Sequence, residues 1–343
     1  MKKLFLAPLL LMVTLARATD VAYAPPLGGN TIVLAGASSG VPKVTTFSPA
    51  LRLPVAGSFA GRARGTLTAV AATSFTDSQA GWSAGALSQV AAPYFVRIRS
   101  GAAAGTWWQI STTAANSSTD VTILNRGVSP STLGMAPGDV YEIVPGDTLA
   151  NLLGSLAPSI GGASASVADA VRVHDGVNWR EYYYNSTVSK WREGAATFDR
   201  GDTVIRPDSG VVFVRQAAEN ISLRMVGIVS DASERVLVNP TGVTVVGSVF
   251  PVARTLGSWN IQSLPGFVNY TGDLSAADKV TIYDGVNWRT FQYNSAVSQW
   301  REGASTFNRN TFAPPFGSPV VIERGSGATG SVVQLTLQIP YSL

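Results

Sequence analysis

Apolar and polar residues alternate in short runs along most of the chain, and the last run is the clearest. Over residues 333–343 every odd-numbered position is apolar. An alternation with a period of two is typical of a β-strand with one buried face. Pro340 predicts that this end lies at a sheet edge, because proline has no N–H to donate to a neighbouring strand.

Long stretches with the 3.6-residue period of a helix are absent, and turn-forming residues recur between the alternating runs. The pattern therefore predicts an all-β protein built from many short strands. One short helix is expected over residues 148–153, with Asp147 as its N-cap and Gly154 as its end.

The chain before this helix contains strand-like runs at residues 94–98, 106–111, 121–124 and 138–145. We therefore expect an N-terminal β domain over residues 19–156, in the form of a small β-barrel or a sandwich. Gly, Ala and Ser dominate residues 157–166, a composition that is typical of a linker.

A segment of 24 residues occurs twice, at 171–194 and at 280–303, with a constant offset of 109 and 16 identical positions. A period of this length is too long for a solenoid and indicates two copies of a larger unit. We expect two β-sandwich-like units, at residues 157–230 and 271–343, with connecting strands or a loop over 231–270.

The two copies predict which positions are buried. Val171 and Val173 stay apolar in the second copy, whereas Arg172 and His174 become Thr281 and Tyr283. The valines are therefore expected to face the core, with Arg172 and His174 on the outer face. The Asp-Gly pair at 175–176 predicts a hairpin turn between this strand and the next.

A second set of motifs extends from the predicted N-terminal β domain into the first copy of the repeat. It consists of Gly138-Asp139-Val140-Tyr141-Glu142-Ile143-Val144-Pro145 followed by Thr148-Leu149, Tyr184 with Trp191-Arg192-Glu193-Gly194, and then Asp202, Pro207 and Arg215. The chain resembles, over most of its length, an uncharacterised family of secreted β-rich proteins from verrucomicrobial bacteria. The resemblance implies export and a repeated β unit, and it implies no activity. In the second copy Thr311 and Phe316 replace Asp202 and Pro207, so the loop after Arg309 is expected to differ.

The first 18 residues are typical of a secretory signal peptide, with Lys2 and Lys3 before an apolar stretch and Ala16-Arg17-Ala18 as the cleavage site. Cleavage is expected before Thr19. No later stretch is apolar over a length that spans a bilayer, so we expect no transmembrane segment in the mature chain. The expected location is extracellular, on the cell surface or periplasmic.

The net positive charge of the whole chain comes mostly from the predicted signal peptide. Residues 1–18 hold three of the 25 Lys and Arg residues and none of the 21 acids, which leaves 22 bases against 21 acids. A nearly neutral chain is not expected to bind nucleic acid, and its weak charge favours self-association.

The chain has no Cys and one His. Disulfides and thiol catalysis are therefore excluded, a zinc site is not expected, and we predict no cofactor.

The Trp-Arg pairs are the main candidate site. The candidate ligand-binding residues are Trp179, Trp191, Arg192, Trp288, Trp300 and Arg301. One interpretation is structural: the tryptophans fill the margins of the core, and Arg180 or Arg192 stacks on a ring or pairs with Glu193. The other is functional: exposed Trp and Tyr side chains form a platform for sugar rings.

Catalytic motifs are weak. Residues 36–40 match the Gly-x-Ser-x-Gly nucleophile elbow, but no helix is predicted after them, and the one histidine, His174, becomes Tyr283 in the second copy. Nothing in the sequence pairs two acids for glycoside hydrolysis. No Asp-x-Asp-x-Asp-Gly loop is present, so calcium coordination by the Asp-Gly turns is a minor alternative. We therefore expect no enzyme. A secreted hydrolase is the least favoured alternative, and it stays open because a pair of carboxylates is enough for glycoside hydrolysis.

These observations predict an exported, non-enzymatic structural or surface-assembly protein, whose edge strands, such as residues 333–343, add to a neighbouring copy. The alternative is a carbohydrate-binding module that uses the repeated Trp, Tyr and Arg units. The expected partners are therefore a second copy of the chain or an envelope polysaccharide.

Overall fold

The computed structural model describes residues 26–53, 62–328 and 330–342. The predicted signal peptide and its cleavage site lie outside these residues, as does Leu343. The described chain is all-β, as predicted, and none of its sheets closes into a barrel. The α-helices in the described ranges are only four and five residues long, so none of them is long and apolar enough to cross a membrane.

The strands are short and are joined by turns. The first ten are β1 (Leu27–Leu34), β2 (Lys43–Phe47), β3 (Arg64–Thr66), β4 (Ala69–Val70), β5 (Ser74–Thr76), β6 (Tyr94–Ile98), β7 (Trp107–Gln109), β8 (Asp120–Thr122), β9 (Val140–Pro145) and β10 (Asp147–Thr148). The helices α1 (Leu149–Leu153) and α2 (Ala157–Ile160) follow. The remaining strands are β11 (Ala170–His174), β12 (Trp179–Asn185), β13 (Lys190–Glu193), β14 (Val204–Ile205), β15 (Val211–Arg215), β16 (Ile221–Ile228), β17 (Glu234–Val238), β18 (Val243–Val246), β19 (Lys279–Tyr283), β20 (Trp288–Asn294), β21 (Gln299–Glu302), β22 (Val320–Glu323) and β23 (Val333–Leu337).

Residues 62–145, called here the N-terminal β region, form two sheets. One has the strand order β3-β9-β6-β7 and the other β4-β5-β8. Both contribute to a core in which Trp82, Trp108 and Tyr141 are the largest buried side chains. Large aromatic residues bury much apolar surface per residue, which suits sheets whose strands are only two to six residues long.

Two five-stranded sheets contain the duplicated segments. Sheet A has the order β13-β12-β11-β15-β2, and sheet B has the equivalent order β21-β20-β19-β22-β18. A two-stranded pair accompanies each sheet, β1 with β16 and β17 with β23. The two copies therefore share one strand order as well as one sequence pattern.

The strand pairing departs from the sequence-based division of the chain at its N-terminal side. The sequence predicts a domain over 19–156 that contains β1 and β2, but β1 pairs with β16 and β2 with β15, both from the region 157–230. The physical reason is that alternation identifies a strand without identifying its partner. In the same way β17 and β18, which lie in the predicted connecting segment, pair with β23 and β22.

The helix also differs in detail from the prediction. Thr148, rather than Asp147, caps α1: its hydroxyl accepts from the Asn151 N–H at 3.2 Å, and the Asn151 side chain accepts from the Thr148 N–H. Asp147 instead belongs to β10, opposite Ile205. Helix α1 ends before Gly154, but the chain does not leave the helical conformation there. The backbone of Gly154 stays right-handed and continues through a 3₁₀ turn into α2. The predicted linker over 157–166 therefore begins with a helix.

The predicted inner positions agree with the observed cores, whereas His174 and its counterpart Tyr283, which belong to the predicted outer face, are also buried. Val171 and Val173 are buried on the inner face of sheet A, and Val280 and Ile282 are buried on the inner face of sheet B. In β23 the predicted alternation holds, since Leu335 and Leu337 are buried while their neighbours are partly exposed. The strand ends before Pro340.

A buried ion pair is repeated in the two copies. Arg215 Nη1 lies 2.5 Å from Asp169 Oδ2 in the first copy, and Arg324 Nε lies 3.1 Å from Asp278 Oδ2 in the second. Each carboxylate also accepts a backbone N–H at 2.7 Å, from Gln216 or Gly325. The pair joins the start of one central strand to the end of its neighbour in each sheet.

The two copies differ after Arg309, as expected. In the first copy β14 pairs with β10. The equivalent residues 313–314 of the second copy form no strand. The difference follows from the partner, because the chain segment that supplies β10 precedes only the first copy.

Candidate functional site

The four candidate tryptophans separate into two pairs. Trp191 and Trp300 are buried, with 3% and 0% of their surface exposed. Each packs edge to face against a tyrosine of the neighbouring strand, with ring centroids 5.7 Å apart for Tyr184 and 5.4 Å apart for Tyr293. Because a buried indole cannot contact a ligand, these two residues are core residues, as the structural interpretation predicted.

Trp179 and Trp288 are exposed to 40% and 43%. Each begins the second strand of its hairpin and lies opposite the last residue of the preceding strand, His174 or Tyr283. The ring centroids are 5.3 Å apart for His174 and Trp179, and 5.4 Å apart for Tyr283 and Trp288. A neighbouring ring thus holds each indole in place while much of its surface stays open.

Both exposed indoles line one groove of about 440 Å³, called here the Trp groove. Its other lining residues are Arg172, Val212, Thr281 and Val321. The six residues form three pairs separated by the repeat offset of 109. Each sheet therefore contributes the same three positions from its outer face, and only Arg172 and Thr281 differ strongly in chemistry.

The cross-strand neighbours of Arg172 and Thr281 differ in the same way. In sheet A, Arg172 lies between Val212 and Glu181, and its Nε donates to Glu181 Oε2 at 2.7 Å. In sheet B, Thr281 lies at the equivalent place, and its hydroxyl is 2.9 Å from the hydroxyl of Thr290. Both side chains of the Arg172–Glu181 pair are about half exposed, so water screens their attraction and the pair contributes less than about 1 kcal/mol. One side of the groove is charged, and the other is neutral.

Arg192 and Arg301, which we also proposed for the site, do not line the Trp groove. They pair across their sheets with Tyr183 and Gln292 and are partly buried. The groove is instead lined by Arg172, Thr281 and two valines, none of which is among the candidate residues predicted from the sequence. The signal was present for Arg172, since the copy comparison placed it on the outer face, but nothing indicated that the two outer faces meet.

The repeated acidic turn residues have a structural role. Asp175 Oδ1 accepts the backbone N–H groups of Asn178 and Val177, and Oδ2 accepts from Arg180 Nε at 2.7 Å. The Asn178 N–H is the largest of the interactions that hold the pKa of Asp175 down to about 2. Arg180 also reaches Glu193 at 3.5 Å, as one interpretation predicted. Asp175 is therefore a turn residue whose oxygens are already occupied.

The catalytic candidates have no supporting geometry. Ser38 exchanges backbone hydrogen bonds with Val41, and the chain continues into strand β2 instead of the helix that a nucleophile elbow requires. His174 is on the outer face but is buried, and its Nδ1 accepts from the Gly176 N–H at 3.3 Å. Across the described ranges, no group of three His, Cys, Asp or Glu residues could hold a metal ion.

Comparison with protein-family models, with curated proteins and with solved structures finds no match to this chain. The resemblance to the verrucomicrobial family therefore stays a prediction. The functional argument rests on the geometry of the Trp groove.

Proposed function

We propose that this chain is an exported, non-enzymatic protein that binds a glycan chain in the Trp groove. The observation that carries the proposal is the convergence of two equivalent exposed indoles, Trp179 and Trp288, in one groove. Their buried counterparts, Trp191 and Trp300, have structural roles, so exposure at 179 and 288 needs a separate explanation.

The chemistry of the groove suits a sugar. Indole offers a broad apolar face with little conformational freedom to lose, and the C–H face of a pyranose ring packs on such a surface. The Arg172 guanidinium and the Thr281 hydroxyl supply hydrogen-bonding groups beside the rings. A volume of about 440 Å³ lies within the usual range for ligand sites.

The two similar halves favour a ligand that is itself repetitive. Each indole can stack on a different sugar unit of one chain, and two linked contacts strengthen binding more than either alone. The single charged residue, Arg172, makes the two ends of the groove different. A glycan with a direction along its chain would therefore bind in one preferred orientation.

The test is a titration of the mature protein with neutral oligosaccharides from cellulose, xylan, chitin and β-1,3-glucan, after a glycan array has identified binders. We expect Trp179→Ala and Trp288→Ala each to weaken binding by about tenfold, in line with the loss of one aromatic stacking contact of ~1.4 kcal/mol. Phe198→Ala is the matched control, because Phe198 is an exposed aromatic residue outside the groove. An array without binders, or groove variants that bind as tightly as the wild type, contradicts the proposal.

A second candidate is surface assembly with another copy of the chain, which a different observation favours. Phe198 and Phe307 are exposed to 72% and 71% in equivalent loops, and the hairpin tips at Val177 and Val286 are also exposed. Repeated apolar tips on a nearly neutral chain favour self-association. Sedimentation of the wild type and of the Phe198→Ala/Phe307→Ala double variant tests this candidate. A wild-type protein that stays monomeric at high concentration and is missing from envelope fractions overturns it.

A further inference from the structure

A second cavity, of about 220 Å³, lies where the N-terminal β region meets the hairpin end of sheet A and strand β18 of sheet B. Its polar lining includes Arg126, His174, Arg206, Asp208 and Asn239. We call it the arginine cavity. The ring contact between His174, which lines this cavity, and Trp179, which lines the Trp groove, lies between the two sites.

Two guanidinium groups share one carboxylate in this cavity. Arg206 holds both oxygens of Asp208, with Nε 2.9 Å from Oδ1 and Nη2 3.1 Å from Oδ2. Arg126 reaches the same Oδ2 only through Nη1, at 3.3 Å. Within the part of the chain that the structure describes, Arg126 has no second acidic partner.

The neighbouring acid does not balance this charge. Asp175 also lines the cavity, but its oxygens are occupied by Arg180 and by two backbone N–H groups. Asp208 is therefore the one carboxylate available to Arg126 and Arg206 together. One positive charge in the cavity is left without a partner of its own.

Burial makes that charge costly. Asp208 is almost fully buried, and the side chains of Arg126 and Arg206 are only 18% exposed. Burial, and then the charge of Arg206, lower the pKa of Arg126 to about 10. Burial alone would raise the pKa of Asp208, but Arg206 and Arg126 outweigh it and keep that pKa below its ordinary value. An anion bound beside Arg126 would offset the desolvation of its guanidinium.

We propose that the arginine cavity binds a small hydroxylated carboxylate, of the kind found in sugar acids, with Arg126 as its charged anchor. Around the arginines the lining offers the amides of Gln109 and Asn125 and the hydroxyl of Ser209. The Asn239 side chain offers only its oxygen, because its Nδ2 already donates to the backbone oxygens of Gly176 and Val243. These groups suit ligand hydroxyls, while the planar guanidinium suits a carboxylate. The cavity is below the usual size for drug-like ligands, which limits the occupant to about one sugar unit.

The experiment uses the one histidine of the chain as a reporter. The mature protein is purified with a tag that contains no histidine, and the tag is then removed. The protein is labelled with ¹³C,¹⁵N-histidine and titrated by NMR with sodium D-glucuronate, D-glucose and sodium sulfate at constant ionic strength. We expect the His174 imidazole resonance to shift saturably with glucuronate and to stay unchanged with glucose. Sulfate that binds as tightly as glucuronate overturns the assignment to a sugar acid, and a resonance unmoved by any probe overturns the site.

Arg126→Gln tests the anchor, with Arg224→Gln as the matched control. Arg224 is exposed on strand β16, outside the cavity, so its removal changes the net charge equally. We expect at least about tenfold weaker glucuronate binding for Arg126→Gln, as for the loss of one charge-assisted hydrogen bond, and wild-type binding for Arg224→Gln. Equal losses in both variants overturn the site, because they indicate unspecific attraction.

If Arg126→Gln fails to fold, Asp208→Asn provides the second test. This variant removes the carboxylate that competes for Arg126, so we expect tighter glucuronate binding. Weaker or unchanged binding contradicts the proposal. The inference is independent of the Trp groove, since Trp179→Ala and Trp288→Ala weaken groove binding without removing a charge from the arginine cavity.

Discussion

Trp179 and Trp288 are separated by one repeat length in the sequence and line the same groove, one from sheet A and the other from sheet B. The buried pair of the same repeat, Trp191 and Trp300, occupies the two cores instead. One duplicated segment thus supplies a structural tryptophan and a surface tryptophan at different positions. This division has consequences for stability that can be measured.

The two kinds of tryptophan are expected to differ strongly in their effect on folding. Trp191→Ala or Trp300→Ala should lower the free energy of unfolding by about 3–5 kcal/mol, since each leaves a large cavity in a core. Trp179→Ala and Trp288→Ala should lower it by only about 1–2 kcal/mol, since each indole is already about two-fifths exposed. Chemical denaturation of the four single variants measures the difference. Similar losses in all four would contradict the assignment of roles.

The charged row beside the groove can be converted into its neutral counterpart. Arg172→Thr reproduces in sheet A the residue that sheet B has at Thr281. We expect the free energy of unfolding to change by no more than about 0.5 kcal/mol, because the Arg172–Glu181 pair is solvent-exposed. Glycan affinity should fall by about three- to tenfold, since a charged hydrogen-bond donor leaves the groove.

Calorimetry with the best glycan from the array, together with a denaturation curve, checks both parts of this prediction. Lys279→Thr, at a charged residue of sheet B outside the groove lining, is the control. A large loss of stability in Arg172→Thr would indicate that Arg172 has a structural role and would remove it from the proposed site.

Asp147 predicts a pH dependence of stability. Burial raises its pKa from an ordinary value of 3.8 to about 6. The folded chain therefore binds the proton of the Asp147 carboxyl group more tightly than the unfolded chain does. The stabilisation that results is present in full below pH 3.8 and is lost as the pH rises through 6. Asp147→Asn cannot lose a proton, so it should be more stable than the wild type by about 1–3 kcal/mol at pH 8.

Urea denaturation at pH 4, 6 and 8 measures this effect. Little difference between Asp147→Asn and the wild type is expected at pH 4, where both side chains are largely uncharged. Glu323→Gln, at a half-exposed carboxylate, is the control and should follow the wild-type profile. An Asp147→Asn variant less stable than the wild type at pH 8 would show that the ionised carboxylate is favourable in the folded chain.

The repeated buried ion pair predicts a large loss of stability when one partner is removed. Asp169→Ala and Asp278→Ala each leave a buried guanidinium, on Arg215 or Arg324, without its carboxylate. Each variant should lose about 3–5 kcal/mol of unfolding free energy. Removing the exposed partner Glu181, which pairs with Arg172, should cost less than about 1 kcal/mol and is the control. Thermal and chemical denaturation measure all three variants.

Much of the local structure could be predicted from the sequence. The period-two pattern predicted the all-β class and the last strand, and the comparison of the two copies predicted that Val171 and Val173 are buried. The cap of α1 was missed because Asp147 and Thr148 are adjacent residues that both commonly cap helices. Thr148 takes the cap because Asp147 is engaged in β10 opposite Ile205.

The candidate site was only half predictable. The sequence proposed all four tryptophans of the repeat because their environments cannot be distinguished from the Trp-Arg dipeptide alone. Trp191 lies on the inner face, opposite Tyr184, whereas Trp179 lies on the outer face, opposite His174. Arg172 was predicted to be on the outer face but was not connected to the site, since the outer face of sheet B lies 109 residues away in the sequence.

The sequence by itself determined the local terms: the strands, the hairpin turns, the inner and outer positions, and the presence of two related copies. These follow from hydrophobic alternation and from turn chemistry, which act between residues close in the chain. Only the tertiary structure decided that β1 and β2 pair with strands more than 150 residues later and that two outer faces meet around Trp179 and Trp288. The physical reason is that a free strand edge or an apolar face specifies the kind of surface it needs, while packing of the whole chain selects which surface it contacts.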